Sequence, residues 1–366
     1  MKIGVLTSSR ADFGIYIPLL KLLKNDSSFE LEIIAFGTHL SISHGYTINE
    51  ITDSGYDVPH QLITPLTSDT PLELSISIAK TTEIFANFWG ENTFDLVITL
   101  GDRYEMYAAV SAASPFNIEI AHIHGGETTL GAIDNAYRHA ISLFSKHIFV
   151  STKLYKKRAE AIVENNVTVH NVGALSIDNL NEIDFLSINE FNSKFDIDLN
   201  LPTILSTFHP ETVSFKKNET YIKELLASFE ELKKTYQIVI TLPNTDTMGQ
   251  MIRDEIMKFG KKYADIKIIE SFGMIGYLTC MKHSAFLLGN TSSGFVEASF
   301  FPKYVINLGD RQKGRFETEN ILTTPVLKSE ILNSVKAIES AKQLVNLNTY
   351  GKGTTASEII SILKKL

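Results

Sequence analysis

The alternation of short β-branched runs with longer helical patterns constrains the fold of this chain more than any other feature. "KIGVLTSS" predicts a strand, "IYIPLLKLLKN" a helix and "ELEIIAFG" a second strand. A helical stretch near residues 71–89 separates these from later strand runs, which are "DLVITLGD", "IEIAHIHGG", "HIFVST", "VTVHNVGA", "TILSTFHP", "YQIVITLPN", "DIKIIES", "SAFLLGN" and "KYVINLGD". Because such runs are apolar on both faces and lie between helices, they indicate parallel sheets covered on both sides.

The alternation breaks once, at residues 183–202, where the chain turns polar and acidic and ends in a proline. This break predicts a linker. We therefore expect an α/β protein with two doubly wound, Rossmann-like domains that face each other across a cleft, residues 1–182 and 183–348. Residues 349–366 predict an amphipathic helix able to pack back across the join.

The charge and cysteine content exclude several classes of protein. A net charge of −8 argues against a nucleic-acid or membrane-surface partner, although a few placed arginines could still hold a small anion. A single cysteine, Cys280, excludes internal disulfides and cysteine-based metal sites. The N-terminal apolar run is too short for a signal peptide, and no stretch of eighteen apolar residues occurs. We expect a cytoplasmic protein.

Polar side chains follow many of the predicted strands. In open parallel sheets, ligands bind beyond the carboxyl ends of the strands. The residues in such positions are Arg10, Asp12, His39, Asp102, Arg103, Glu127, His209, Asn290, Thr291, Ser292, Asp310 and Arg311. Each one alone is also compatible with a helix cap or an interior polar group. Their joint occurrence in both halves of the chain predicts a polar cleft.

The segment "LLGNTSSGFVEAS" is the clearest candidate for a phosphate site. A strand is expected to end at Gly289 and a helix to begin near Ser293, so that Thr291 and Ser292 lie at a helix N-terminus, where phosphates bind. Glu297, one turn inside the helix, could accept hydrogen bonds from a ribose. The alternative interpretation is a serine-rich cap with a structural glutamate.

Two common phosphate-binding motifs do not occur. The chain has neither G-x-x-x-x-G-K-[ST] nor G-x-G-x-x-G after its first strand, which argues against a P-loop ATPase and a standard NAD enzyme. The first turn is "SSRADFG" instead. Because a guanidinium can bind two oxygens of a diphosphate, Arg10, Arg103 and Arg311 are predicted to form a diphosphate clamp. Surface ion pairs are the alternative for each of the three.

The segment "IAHIHGGETTLGAIDNAYRHAI" concentrates histidines and carboxylates within residues 120–141. His122 and His124 are two residues apart on a predicted strand and would share one face of it, so with Glu127 close by they could in principle bind a metal ion. We favour proton transfer, because histidine titrates near neutral pH without much tuning. His122 lies inside the apolar strand and is the histidine best suited to a structural role. Asp134 and Arg138 are four residues apart on a predicted helix, so an internal ion pair is an alternative role for that aspartate.

A set of motifs in this order along the chain resembles the hydrolysing UDP-N-acetylglucosamine 2-epimerases. The motifs are "TSSRADFGIYIPLLK", "GTHLS…HG", "ITLGDRYE", "AHIHGGETTLGAIDNAYRHAI", "FHP", "LGNTSSGFVEA" and "INLGDRQKGR". The resemblance implies a glycosyltransferase-B type fold and conversion of a UDP-N-acetylhexosamine into the free 2-epimer and UDP. It also implies a place in sialic-acid-like sugar synthesis, no metal or redox cofactor, and a homodimer through the N-terminal domain or a dimer of dimers.

The resemblance assigns roles to particular residues. A base removes the C2 proton while UDP leaves from C1, and water and a proton are then added, so the reaction needs proton donors and acceptors as well as cations beside the diphosphate. The proton-transfer candidates are Asp102, Glu127, Asp134, His39 and His209. The UDP-binding candidates are Arg10, Arg103 and Arg311 for the diphosphate, Thr291 and Ser292 for phosphate contacts, and Glu297 for the ribose.

The chain departs from some members of this family at two places. It has His124 ("HIHGGE") where some relatives carry a catalytic glutamate ("HIEGGE"). It also has one extra residue between this motif and Asp134. Either His124 takes over proton transfer, or it reflects a different sugar substrate. Two substrates stay open, UDP-N-acetylglucosamine and UDP-2,4-diacetamido-2,4,6-trideoxyglucose, the latter on the way to legionaminic acid.

Three alternative functions fit the sequence less well. A non-hydrolysing 2-epimerase would resemble "GTRPE" at the first turn and "PEE" near Asp134, whereas this chain has "SSRADFG" and "GAIDN". A glycosyltransferase of the same fold would share Ser292 and Glu297 but has no need of the carboxylate–histidine cluster. A nucleotide-sugar sensor without activity would not require Asp102, Glu127 and His209 together. The hydrolysing epimerase is therefore the favoured prediction.

Overall fold

Two parallel sheets organise the chain, each in its own unit. The computed structural model describes residues 1–42, 45–65, 70–163, 167–213, 215–243, 249–345 and 348–366. His44, in the "HG" part of the second motif above, lies outside the described residues. The N-terminal unit comprises Met1–Glu127, Asp134–Asn181 and Tyr350–Leu366, and the C-terminal unit comprises Thr128–Ile133 and Glu182–Thr349.

The first six strands of the N-terminal unit pair in the same order as the six strands of the C-terminal unit. The N-terminal unit has β1 (Lys2–Thr7), β2 (Glu30–Phe36), β3 (His60–Leu62), β4 (Leu96–Leu100), β5 (Ile120–Ile123), β6 (His147–Val150) and β7 (Thr168–Asn171), arranged β3-β2-β1-β4-β5-β6-β7. The C-terminal unit has β8 (Thr203–Thr207), β9 (Gln237–Thr241), β10 (Lys267–Ile269), β11 (Phe286–Gly289), β12 (Val305–Leu308) and β13 (Ile321–Thr324), arranged β10-β9-β8-β11-β12-β13. All the pairs are parallel, and the order reverses between β1 and β4 and between β8 and β11, where doubly wound sheets bind their ligands.

Helices connect these strands. They are α1 (Arg10–Asn25), α2 (Ile48–Asp53), α3 (Pro71–Glu91), α4 (Tyr104–Ala113), α5 (Asp134–Phe144), α6 (Lys153–Ile162), α7 (Leu175–Glu182), α8 (Ile188–Phe195), α9 (Asn218–Leu232), α10 (Gly249–Lys262), α11 (Gly273–His283), α12 (Glu297–Phe300), α13 (Lys328–Glu339) and α14 (Thr355–Leu363). Within the described ranges, no helix is both long enough and apolar enough to cross a bilayer.

The burial of the strands explains why the sequence predicted them. Every residue of β4, β5, β6 and β8 is buried. Strands covered on both faces gain from apolar side chains at every position, which produces the continuous runs that were recognised. The predicted class, two doubly wound parallel-sheet domains, is confirmed. Two short edge strands, β3 with the sequence HQL and β13 with ILTT, were missed because they carry no such run.

The predicted linker at residues 183–202 is a folded part of the C-terminal unit, so that prediction was wrong. Ser187 begins α8 with a capping box, in which its side chain and that of Glu190 each accept a hydrogen bond from the other's backbone N–H. Phe191, Ile197 and Leu199 are buried in the core of the unit. The polar composition of this stretch reflects the exposed face of a short amphipathic helix.

Two segments belong to a different unit from the residues that directly precede them in sequence. Tyr350–Leu366 lies in the N-terminal unit, where the Asp178 carboxylate accepts hydrogen bonds from the Thr355 and Ala356 N–H groups at the start of α14 (3.1 and 2.6 Å). Thr128–Ile133 lies in the C-terminal unit. The sequence predicts residues 128–133 as part of the N-terminal domain, because nothing in their composition marks a change of unit.

Candidate active site

The turn after β4 carries Asp102 and Arg103. Gly101 adopts a left-handed conformation (φ 82°), which turns the chain sharply at the end of the strand. The Asp102 side chain is half-buried. The Arg103 guanidinium contacts the buried Glu105 carboxylate through Nε (3.2 Å) and Nη2 (3.0 Å). Arg103, one of the predicted diphosphate ligands, therefore forms an ion pair with a residue of α4 in this structure.

Arg10 and Asp12 lie in the first turn of α1. Arg10 is the first residue of the helix and is exposed. Asp12 is buried and accepts hydrogen bonds from the Ser8 N–H (2.9 Å) and hydroxyl (2.7 Å). Burial raises the pKa of Asp12, while the hydrogen bonds from Ser8 and the charge of Arg103 oppose this shift. Asp12 thus orders the first turn, and Arg10 is the residue there with a side chain open to an anion.

The "HIHGGE" turn has a backbone that few other sequences could adopt. β5 ends at Ile123, and His124 takes a left-handed conformation (φ 69°) that is uncommon outside glycine. A Cβ at Gly125 would overlap the Ile148 side chain, and one at Gly126 would overlap the Tyr155 carbonyl. The strand alternation therefore stops before His124. The expectation that His122 and His124 share one face of a strand does not apply to this backbone.

His122 is held as a structural residue. Its Nε2 lies 2.8 Å from the Gly101 carbonyl oxygen and its Nδ1 lies 3.0 Å from the Ser142 hydroxyl. Because a carbonyl only accepts, Nε2 carries the proton and Nδ1 accepts from Ser142. Among the described residues, no three His, Cys, Asp or Glu side chains are grouped so as to hold a metal ion.

Arg138 joins the polar side chains of the N-terminal unit. It lies on α5 with 2% of its surface exposed. Its Nη2 donates to the Asp102 carboxylate, and its Nη1 donates to the His124 carbonyl (2.9 Å) and lies 3.6 Å from Glu127 Oε2. One buried cation thus offsets the cost of burying charge at two carboxylates. Three of the predicted residues, Asp102, His124 and Glu127, meet at this guanidinium.

Glu127 and Asp134 flank the segment that joins the C-terminal unit. Glu127 is 2% exposed and accepts a hydrogen bond from the Ser151 hydroxyl (3.3 Å) in addition to its contact with Arg138. Asp134 is the first residue of α5 and is half-buried, one turn before Arg138. A carboxylate at this end of a helix is stabilised by the helix dipole.

His39 is enclosed and neutral at pH 7. Its side chain is fully buried, with Nε2 2.9 Å from the Thr7 hydroxyl and Nδ1 2.9 Å from the Thr47 hydroxyl. Burial lowers the pKa of His39 to about 4. Both ring nitrogens are occupied by threonine hydroxyls, so His39 is held as a structural residue in this structure.

The free energy of unfolding is expected to fall as the pH decreases from 6.5 towards 4. Burial lowers the pKa of His39 to about 4 and that of His122 to about 3, from an ordinary value of 6.5. In this window the unfolded chain binds the protons, so stability that is complete above pH 6.5 is lost by up to about 1.4 kcal/mol per pH unit per histidine. Urea unfolding at pH 7.5, 6 and 5 measures the slope, which should be shallower in His39→Gln. Equal slopes in the two proteins would contradict the prediction.

In the C-terminal unit, His209 and Asn290 tie two strand ends together. The His209 N–H donates to Asn290 Oδ1 (2.7 Å), and Asn290 Nδ2 donates to the His209 carbonyl (2.8 Å). Gln312 Nε2 donates to the Asn290 carbonyl (2.7 Å) from the loop after β12. The ends of β8, β11 and β12 are therefore cross-linked at the edge where a ligand is expected.

The predicted phosphate segment is shaped differently from the expectation. A 3₁₀ turn spans Ser292–Gly294, and α12 begins only at Glu297, so Glu297 is the first residue of a short helix and does not lie one turn inside it. The Ser293 hydroxyl bonds both Thr291 (3.1 Å) and the Tyr277 hydroxyl (2.7 Å). The segment packs closely against β12, where a Cβ at Gly294 would lie 3.0 Å from the Val305 side chain.

Arg311 lies in the loop after β12. Its Nε donates to the Pro210 carbonyl (3.3 Å), and the Asp310 N–H donates to the buried Glu211 carboxylate (2.7 Å). Gly131 packs against this loop, where an added Cβ would lie 2.5 Å from the Arg311 Cα. The loop is thus held from one side by the residues after β8 and from the other by Thr128–Ile133.

A family model described as UDP-N-acetylglucosamine 2-epimerase matches residues 21–364. The chain belongs to this family. It is 33% identical over 326 residues to the GDP/UDP-N,N'-diacetylbacillosamine 2-epimerase (hydrolyzing) of Campylobacter jejuni, covering 89% of this chain and 84% of the relative. It is 30% identical to the UDP-N,N'-diacetylbacillosamine 2-epimerase (hydrolyzing) of Legionella pneumophila, covering 100% and 96% of the two chains.

The fold agrees with solved members of the epimerase family. The crystal structure of UDP-GlcNAc 2-epimerase from Neisseria meningitidis bound to UDP-GlcNAc superposes with a TM-score of 0.85 over the whole of both chains, at 18% sequence identity. At that identity the likeness establishes the glycosyltransferase-B type of fold and no residue roles.

Two charged residues that contact predicted site residues were missed or given another role in the prediction from sequence. Arg138 had been considered only as a partner of Asp134, and its contacts with Asp102 and Glu127 span 36 and 11 positions of sequence. Glu211 had not been considered, although it directly follows the "FHP" motif. The sequence signal for Glu211 was that a charged residue directly follows a motif at the end of a strand.

Proposed function

We propose that this chain hydrolyses UDP-N,N'-diacetylbacillosamine, which is UDP-2,4-diacetamido-2,4,6-trideoxyglucose, to UDP and the free 2-epimer. The reaction class, hydrolysing UDP-sugar 2-epimerisation, agrees with the names of relatives that match the chain along most of their length. One structural observation supports the assignment most strongly. The buried Arg138 contacts Asp102, Glu127 and the His124 carbonyl together. A fold used only for nucleotide-sugar transfer would not need this cluster.

The reaction consists of an elimination and a hydration. A carboxylate removes the proton from C2, the C2–H electron pair forms a C1–C2 double bond, and UDP leaves with the electrons of the C1–O bond. Water then adds its hydroxyl to C1, and a proton is delivered to C2 from the opposite face, so that one water is consumed. Glu127 and Asp102 are proposed as the groups that move protons, with His124, Asp134 and His209 as the further donors and acceptors.

The C-terminal unit is proposed to hold the UDP. Ser292 begins the 3₁₀ turn after β11 and Thr291 is its N-cap residue, where hydroxyl and N–H donors suit phosphate oxygens. The Arg311 guanidinium is proposed to stabilise the charge of the diphosphate as it leaves, and the Glu297 carboxylate to accept hydrogen bonds from the ribose hydroxyls. Arg10 belongs to the N-terminal unit and is proposed there as an anion ligand, because its side chain is exposed.

UDP-N-acetylglucosamine is the second candidate substrate. The solved relative from Neisseria meningitidis is described with UDP-GlcNAc bound. The two sugars differ at C4 and C6, and His124 is the departure from the family motif that could respond to that difference. With either substrate the product has the configuration required for sialic or legionaminic-type acids, and we propose that a homodimer carries out the step in the cytoplasm.

The test is incubation with each UDP-sugar separately in deuterated water, followed by proton NMR. We expect UDP and a free sugar that is inverted and deuterated at C2, formed faster from the diacetamido donor. The same products from UDP-N-acetylglucosamine alone would replace the proposed substrate with that one. Equilibration with the UDP-linked 2-epimer, without release of UDP, would identify a non-hydrolysing epimerase. No reaction of either donor would favour a glycosyltransferase or a sensor.

A further inference from the structure

Glu211 is a buried carboxylate that the reaction itself does not require. It lies four residues after the end of β8, and 2% of its surface is exposed. Its backbone is clamped by Asn218, the first residue of α9, whose Oδ1 accepts from the Glu211 N–H (2.9 Å) and whose Nδ2 donates to the Glu211 carbonyl (3.0 Å). Asn218 is itself fully buried. The base of the glutamate is thus fixed to the core of the C-terminal unit.

The carboxylate of Glu211 is directed at the loop after β12. Oε1 accepts the Asp310 N–H at 2.7 Å, and the Arg311 N–H is a second donor to the same carboxylate. Gly309 makes this approach possible, because its backbone is left-handed (φ 71°) and an added Cβ would lie 2.6 Å from Oε1. Two consecutive N–H groups after a strand form a concavity that attracts anions. Here a side chain of the same unit occupies it.

The residues beside Glu211 hold the same loop. The Pro210 carbonyl accepts from Arg311 Nε (3.3 Å), so the loop is held both at its backbone and at its guanidinium. The Thr212 hydroxyl accepts the Ile133 N–H (3.0 Å), and the Val213 N–H donates to the Gly131 carbonyl (3.4 Å). Residues 210–213 therefore contact both the loop that carries Arg311 and the segment 131–133 that packs against it.

We infer that Glu211 is a positioning residue that fixes the Arg311 loop, so that the guanidinium and not the loop backbone meets the diphosphate of UDP. The inference rests on the proposed UDP site in this unit. With these two N–H groups occupied, the Arg311 side chain can meet an anion, and its Nε is held by the Pro210 carbonyl. Loss of the carboxylate frees two N–H donors and lets the loop and its arginine move.

The test compares the binding of UDP with that of uridine, which has no phosphate. Glu211→Gln keeps the size of the side chain and one acceptor oxygen, so the protein should fold. We expect its dissociation constant for UDP to rise about tenfold, the loss of roughly one charge-assisted hydrogen bond, with uridine binding unchanged. The KM for the UDP-sugar should rise by the same factor at constant kcat. Asp184→Asn removes one negative charge from an exposed position of the same unit and is the matched control.

A double-mutant cycle with Arg311→Lys separates positioning from general structural support. If Glu211 acts through Arg311, Glu211→Gln should weaken UDP binding by less than twofold in the Arg311→Lys background. Equal losses of UDP and uridine binding, full additivity in the cycle, or unchanged UDP binding in Glu211→Gln would each overturn the inference. Wild-type protein that binds UDP but turns over no donor would contradict the proposed function alone, whereas no UDP binding would overturn both.

Discussion

Replacing Glu127 with glutamine is expected to lower kcat about 10³-fold, within the range lost when a general acid or base is removed. The amide is nearly the same size, and its oxygen can face Arg138 while its NH₂ donates to the Ser151 hydroxyl, so the buried site should keep its shape. It cannot take up a proton from C2 of the sugar. The measurement is turnover of the preferred UDP-sugar together with deuterium incorporation at C2 in deuterated water.

The control for this substitution is Glu119→Gln, which removes the same charge from an exposed glutamate paired with Lys146 in the N-terminal unit. The control should turn over at the wild-type rate, and both variants should bind UDP with wild-type affinity. Wild-type kcat in Glu127→Gln, with UDP still bound, would show that Glu127 is not a proton-transfer group. Loss of UDP binding in Glu127→Gln would point to a damaged fold.

The conservative substitution Arg138→Lys should lower kcat about 10²-fold while leaving the affinity for UDP unchanged. A lysine keeps the charge, but it cannot reach Asp102, Glu127 and the His124 carbonyl together from one planar group. The two carboxylates would lose their fixed directions without losing all of their compensating charge. If Arg138 had only a structural role, Arg138→Lys would change stability, and kcat would not fall separately from the affinity for UDP.

Removing the charge at the same position should add a large loss of stability. Arg138→Met leaves two carboxylates without their cation in a buried site, which costs about 3–5 kcal/mol of unfolding free energy. Arg253→Met is the matched control, because Arg253 forms an ion pair with the exposed Glu270 and should cost about 1 kcal/mol or less. Urea unfolding of the two variants measures the difference. Similar costs in both would contradict the proposed role of the buried guanidinium.

The sequence predicted most of the strands because their signal is local. "LVITL" and "TILST" are apolar on both faces, since each strand is covered on both sides, and no knowledge of distant residues is needed to recognise them. The same argument placed Asp102 and His209 at strand ends, where the structure finds them. α8 was mistaken for a linker because one short helix with a single buried face resembles a polar loop in composition.

Pairings across the sequence could be decided only by the tertiary structure. The sequence by itself determined the two parallel sheets, the family and the strand-end positions of the candidate residues. It did not determine that Arg138 turns towards Asp102, that Arg103 is engaged by Glu105, or that Glu211 reaches the Asp310 N–H, 99 residues away. Strand burial is encoded in consecutive residues, whereas the partner of a charged side chain depends on which distant elements the folded sheet brings to the same edge.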